Sequence, residues 1–138
     1  MRAREIKPGI EAICCPHWER RLFDSLIPLP DGTSYNAYLV RGQQATALID
    51  TADPALQKEL REQLGSVGQI DYVISQHSEQ DHSGALPVVL DRFPSAKLLC
   101  SEKARDMLSS HLSIPAERIQ IVRDGEQIAL GGKKLQFI

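Results

Sequence analysis

Asp71-Tyr72-Val73-Ile74-Ser75, running straight into Gln76-His77-Ser78-Glu79-Gln80-Asp81-His82-Ser83-Gly84, is the stretch that decides how this chain is read. The first five residues form a short apolar run of the kind that fills a buried strand. The next nine are polar and place two imidazoles and two carboxylates between positions 77 and 82. A loop at the carboxyl end of a central strand is where open α/β sheets put their sites. In such a turn His77 can converge with Glu79, and Asp81 with His82, giving two ligand pairs suited to two metals rather than one. The alternative is a solvated loop in which Asp81 or Ser83 merely caps the following helix.

The flanking sequence supports an alternation of strands and helices. Upstream, Tyr35, Ala37 and Leu39 alternate as in a strand, and residues 45–49 form a second one ending at Asp50. Asp53-Pro54 is a helix start, with Asp53 as N-cap and Pro54 at the first helical position. Leu56, Leu60 and Leu64 follow at helical spacing until Gly65. Downstream, a helix is expected from about Ser83-Gly84, with Pro87 in its first turn and Leu86, Val89 and Leu90 facing a core. Residues 97–100 read as a strand and Ser101 as the cap of a helix over 102–110. Residues 118–122, 127–130 and 133–137 read as short strands separated by Asp124-Gly125 and Gly131-Gly132. At the other end, residues 5–15 carry two apolar runs broken at Pro8-Gly9, a small hairpin. Residues 16–32 read as a long loop with at most one helical turn around 20–24; such loops tend to be binding or lid elements. The fold class is therefore α/β, a layered sheet with hairpins at both ends.

At 138 residues, one domain could bury about two-thirds of its unfolded surface without disulfide staples. The net charge of −2 gives no general attraction to nucleic acid or anionic membrane. No apolar run approaches the ~18 residues of a membrane span, and the charged N-terminus is unlike a secretory signal. Cys14, Cys15 and Cys100 form neither a disulfide framework nor a CxxC pair, which fits a reducing cytoplasm. All three sit in apolar strands and read as packing residues. His17, in a polar loop, and His111, near a helix end, read as surface residues. Asp50 either steadies the metal loop or is a plain strand-end turn residue.

The loop resembles the metal loop of the metallo-β-lactamase fold, H-x-H-x-D-H, with Glu79 where the second histidine would stand. That departure is characteristic of flavodiiron proteins. Residues 18–40 (WERRLFDSLIPLPDGTSYNAYLV), 47–51 (ALIDT) and 81–87 (DHSGALP) also resemble the amino-terminal part of that family. The resemblance implies an αββα sandwich, of which residues 1–138 supply the first half only. It further implies reduction of dioxygen to water, or of nitric oxide to nitrous oxide, at a non-haem centre of two iron ions. His77 and Glu79 would bind one iron, Asp81 and His82 the other. FMN would sit in a flavodoxin-like domain beyond this chain, and electrons would come from a rubredoxin-like donor. The remaining ligands also lie past Ile138, so the piece by itself is expected to be metal-poor and inactive.

Two other readings stand beside this one, a zinc hydrolase of the same fold and a non-catalytic interaction module. Residues 135–138 form an apolar strand that stops without turn or cap, which is expected of a piece cut from a longer protein. With half a sandwich, the sheet face carrying residues 45–49 and 72–74 is expected to lie bare and to drive pairing of two copies.

Overall fold

The computed structural model describes residues 3–138. The first hairpin joins β1 (Arg4–Lys7) to β2 (Ile10–His17) through Pro8-Gly9, with Gly9 at φ 69°. A second, very small hairpin, β3 (Leu22–Phe23) and β4 (Ile27–Pro28), stands where one helical turn was expected. Its reversal is made by Asp24 and Ser25, both at positive φ (48° and 59°), closed by Leu26 N–H donating to Phe23 O at 3.0 Å. Two successive left-handed residues define a type I′ turn, whose twist suits a hairpin and not a helix.

Then come β5 (Thr33–Arg41) and β6 (Thr46–Ile49), the Pro54–Leu56 turn with α1 (Gln57–Gln63), and β7 (Tyr72–Ile74). Asp53 caps the Pro54 turn through its side chain, which accepts from Ala55 N–H, as its sequence position predicts. After β7 lie α2 (Gln80–Ser83), α3 (Leu86–Arg92), β8 (Lys97–Cys100), α4 (Glu102–Leu112) and β9 (Ile119–Ile121). Ser101 caps α4 by accepting from Ala104 N–H, and Ser113 in a left-handed conformation ends it. The helix expected from Ser83-Gly84 is thus two pieces. Pro87 has no N–H to give the Ser83 carbonyl, so the single turn of α2 stops and α3 starts afresh with Pro87 in its first turn. A last hairpin pairs β10 (Gln127–Ala129) with β11 (Lys134–Gln136).

Seven strands form one sheet in the order β1-β2-β5-β6-β7-β8-β9. The pairs up to β6 are antiparallel; β6-β7, β7-β8 and β8-β9 are parallel, with Ile49 opposite Ile74. Side chains alternate between the two faces. Leu48, Val73 and Leu98 join Ile13, Ala37 and Leu39 in a core with Leu60 of α1, Leu86 and Val89 of α3 and Leu108 of α4. Ala47, Ile74 and Leu99 point the other way, into a second core with Val122 and Leu130.

That second face is not bare, contrary to the expectation from half a sandwich. The β10–β11 hairpin folds back over it and leaves Ala47, Leu99 and Leu130 fully buried. Gln43 N–H donates to Gly131 O at 2.8 Å, and Gln44 and Ala45 N–H to Leu130 O at 2.9 and 3.1 Å, pinning the hairpin to the β5–β6 turn. Gly42 makes this approach feasible, since a Cβ there would lie 1.9 Å from Leu130 O. No helix among the described residues is long and apolar enough to cross a membrane.

Candidate metal centre

The exits of β6 and β7 lie side by side at the carboxyl end of the parallel ladder. Asp50 N–H donates to Ile74 O at 2.8 Å and Ser75 N–H to Leu99 O at 3.0 Å, so both chains leave the sheet still hydrogen-bonded to it. Asp50 is 6% exposed and left-handed, at φ 58°. Its Oδ1 accepts Gln76 N–H at 2.8 Å, and its Oδ2 lies 3.4 Å from Gln76 Nε2 and from His82 Nδ1. The choice left open for Asp50 is thereby resolved: it holds the first residue of the loop and one imidazole.

The far end of the loop is fixed from below. Thr51 N–H and Oγ1–H both donate to His82 O, at 2.9 and 2.6 Å. Buried Ser83 donates its hydroxyl to Ser78 O and Glu79 O, each at 3.0 Å. Gly84 lets α2 press on the Pro54 turn, where a Cβ would come within 2.4 Å of Pro54 Cδ. The side chains of His77 and Glu79 are 54% and 56% exposed, so the loop is open to solvent, but neither Asp81 nor Ser83 is the cap. Instead Glu79 occupies the N-cap position of α2 and makes no capping bond with its side chain. Its carboxylate turns to His77, with Oε2 3.3 Å from His77 Nε2. His82 Nε2 lies 3.6 Å from Asp81 Oδ2, and the His77 and His82 rings meet edge to face with centroids 5.2 Å apart.

The structure therefore brings His77, Glu79, Asp81 and His82 together as two imidazole–carboxylate pairs. Asp50 behind His82 supplies the carboxylate–histidine contact that commonly orients a metal-binding imidazole. Nitrogen and oxygen donors of this kind suit first-row transition metals. Among the described residues no three His, Cys, Asp or Glu side chains gather as a group able to hold a metal ion, so each pair offers two donors.

His111 and the three cysteines fall where the sequence placed them; His17, expected at the surface in a polar loop, instead ends β2, and one cluster is added. His111 is exposed at the end of α4, its Nδ1 3.2 Å from Ser110 Oγ. The three thiols are free, and burial pushes those of Cys15 and Cys100 up to about 11, so neither is a thiolate near neutrality. His17 is half-buried and reaches Tyr35 OH at 3.5 Å. The addition is a cluster beside the loop: Arg20 Nη1 donates to Asp53 Oδ2 at 2.8 Å and to Tyr35 OH at 3.0 Å. Burial raises the Tyr35 phenol, against the pull of the Arg20 guanidinium. Nothing in the sequence pairs residue 20 with residue 53, because their contact depends on how the segment between β2 and β5 is laid down.

The sequence profile of the metallo-β-lactamase superfamily matches residues 30–137. Coenzyme F420H2 oxidase of Methanocaldococcus jannaschii is 34% identical over 145 residues, covering 99% of this chain and 34% of that protein. Nitric oxide reductase of Moorella thermoacetica is 34% identical over 137 residues, covering 96% of this chain and 34% of that protein. Among solved structures, rubredoxin oxygen:oxidoreductase from Desulfovibrio gigas superposes with a TM-score of 0.89 at 33% identity, over 98% of this chain and 34% of that one. The chain thus spans about a third of the length of these relatives. It belongs to the metallo-β-lactamase superfamily, and within it to the part shared by the flavodiiron proteins.

Proposed function

We propose that this chain is the first part of the metal-binding domain of a flavodiiron oxidoreductase, which reduces dioxygen to water, nitric oxide to nitrous oxide, or both. The observation that carries the reading is Glu79, whose carboxylate is released from capping and turned to His77 Nε2 at 3.3 Å. A carboxylate in place of an imidazole makes the donor set harder and more negative, which favours iron cycling between ferrous and ferric states over zinc holding a water of lowered pKa. The names of the relatives, an oxidase of a reduced coenzyme, a nitric oxide reductase and a rubredoxin–oxygen oxidoreductase, support the same class.

In this reading His77 and Glu79 hold one iron and Asp81 and His82 the other, while Asp50 and Thr51 fix the His82 ring and backbone. The two irons supply the one-electron steps and the binding of the diatomic substrate. The chain's own part is to hold two imidazoles and two carboxylates at one mouth of the sheet, on a loop tied down at both ends. Two donors per metal fall short of the three or four a stable site uses. The other ligands, FMN in a flavodoxin-like domain and a rubredoxin-like donor complete the machine from outside residues 1–138, and two copies pair in the cytoplasm. Without them the piece binds metal weakly and does not turn over.

The test is to purify the protein that contains this chain without oxygen, then measure its metals, its flavin, and its consumption of dioxygen and nitric oxide with reduced rubredoxin. Iron and FMN with gas consumption support the reading. Zinc with hydrolysis and no gas consumption overturns it.

A further inference from the structure

We propose that Arg20 is a positioning residue that latches the β3–β4 hairpin as the outer wall of the candidate metal centre. The inference rests on the reading of the loop as a metal centre. The hairpin has few other anchors. Leu22, Leu26 and Ile27 are exposed, and Phe23 and Leu29 are half-buried, so little apolar burial holds it. The backbone bonds of residues 18–31 stay within the segment 17–32: Arg20 to His17, Leu26 to Phe23, Leu29 to Arg21 and Gly32 to Leu29. Among the described residues, Arg20 is the one side chain of residues 18–31 that hydrogen-bonds to the body of the fold.

Arg20 also holds the hairpin itself. Its Nε donates to Leu22 O at 3.2 Å, and its guanidinium carbon lies 5.8 Å from the centre of the Phe23 ring. Its partners on the body are rigid: Tyr35 is buried in β5, and Asp53 is buried and committed through Oδ1 to the Pro54 turn. A single guanidinium therefore ties an exposed hairpin to two buried side chains of the body through charge-assisted bonds.

The latch closes on something. A cavity of about 200 Å³ is bounded on the hairpin side by Arg20, Phe23 and Asp24, and on the other by Asp53, Glu79, Gln80 and Asp81. Four carboxylates line it and Arg20 is its one cation. With that charge gone, Asp24 on the hairpin would face Asp53, Glu79 and Asp81 without compensation, and repulsion would push the wall outward.

The experiment uses the intact protein, as isolated and after metal removal. Hydrogen exchange of residues 18–32 is compared with that of residues 71–75, and the rate at which EDTA extracts metal is followed. Arg20→Gln is expected to raise exchange in the hairpin at least tenfold, leave 71–75 unchanged, and speed extraction about tenfold at unchanged starting metal content. Arg20→Lys, which keeps the charge but not the fork, is expected to lie between. Exchange and extraction both within twofold of the parent overturn the proposal. Should Arg20→Gln also loosen 71–75, Tyr35→Phe decides: it removes one hydroxyl, and a threefold rise confined to the hairpin supports the latch whereas none refutes it. Failure of the protein to bind metal at all would refute the metal reading, and the exchange data would still decide the role of Arg20.

Discussion

Replacing Asp50 by alanine tests how firmly the candidate centre is built into the sheet. Asp50 is buried, its Oδ1 is the acceptor for Gln76 N–H at 2.8 Å, and its backbone is left-handed at φ 58°. Removing the carboxylate strands a partly buried N–H, worth about 1–3 kcal/mol. Forcing alanine into the left-handed region adds roughly 1 kcal/mol, which aspartate or asparagine largely avoids. The sum is a loss of about 2–4 kcal/mol for Asp50→Ala. Asp50→Asn keeps an oxygen toward Gln76 N–H and the backbone preference, and gives up the charge assistance and the long Oδ2 contacts to Gln76 Nε2 and His82 Nδ1, so about 1 kcal/mol is expected. Urea unfolding followed by circular dichroism reads both variants. Metal affinity adds a second reading, because Asp50 Oδ2 lies 3.4 Å from His82 Nδ1. Losing such a supporting carboxylate typically costs 10–100-fold in affinity. If Asp50→Ala costs less than about 0.5 kcal/mol, or matches Asp50→Asn, the argument from the Gln76 bond and the left-handed backbone is wrong.

Two further outcomes follow from packing and from burial. Gly42→Ala would put a Cβ 1.9 Å from Leu130 O, backbone that cannot swing aside; a cost of about 1–3 kcal/mol is expected, with faster hydrogen exchange in residues 45–49 as the β10–β11 hairpin lifts, and unchanged exchange would refute the docking. Cys15 and Cys100 are raised by burial from 9.0 to about 11. A raised folded pKa means that stability is intact below about pH 9 and falls as pH climbs toward 11, where the unfolded thiols ionise and the buried ones do not. The Cys15→Ala/Cys100→Ala variant should show a shallower fall over that window, and an equal slope would contradict the burial argument.

Most of the fold was legible because its signals are local. The alternation in β5, the short apolar runs of β6 and β7, the Asp53-Pro54 start and the Leu56-Leu60-Leu64 spacing each lie within one window and agree with the packing that resulted. Three features were not legible, for different reasons. The β3–β4 reversal uses Asp24-Ser25, a left-handed pair without the glycine or asparagine that usually announces one. The covered second face depends on the β10–β11 hairpin folding back so that Leu130 meets Gly42, 88 residues earlier, a long-range contact with no local cue. The latch on Arg20 likewise joins residues that are 33 apart.

At the centre itself, spacing alone paired His77 with Glu79 and Asp81 with His82, because residues this close in a turn have few other places to go. What spacing could not supply was the support beneath them. Thr51 and Ser83 act through hydroxyl-to-carbonyl bonds that depend on how α2 sits against the β6 exit.

The division of the four donors into two pairs is the central claim, and counting iron in paired variants of the intact protein tests it most directly. The parent protein is expected to hold two irons per chain. His77→Ala/Glu79→Ala is expected to lose one of them and Asp81→Asn/His82→Ala the other, with Mössbauer spectra showing a different iron remaining in each case. Two irons retained in either variant, or the same iron lost in both, would contradict the account.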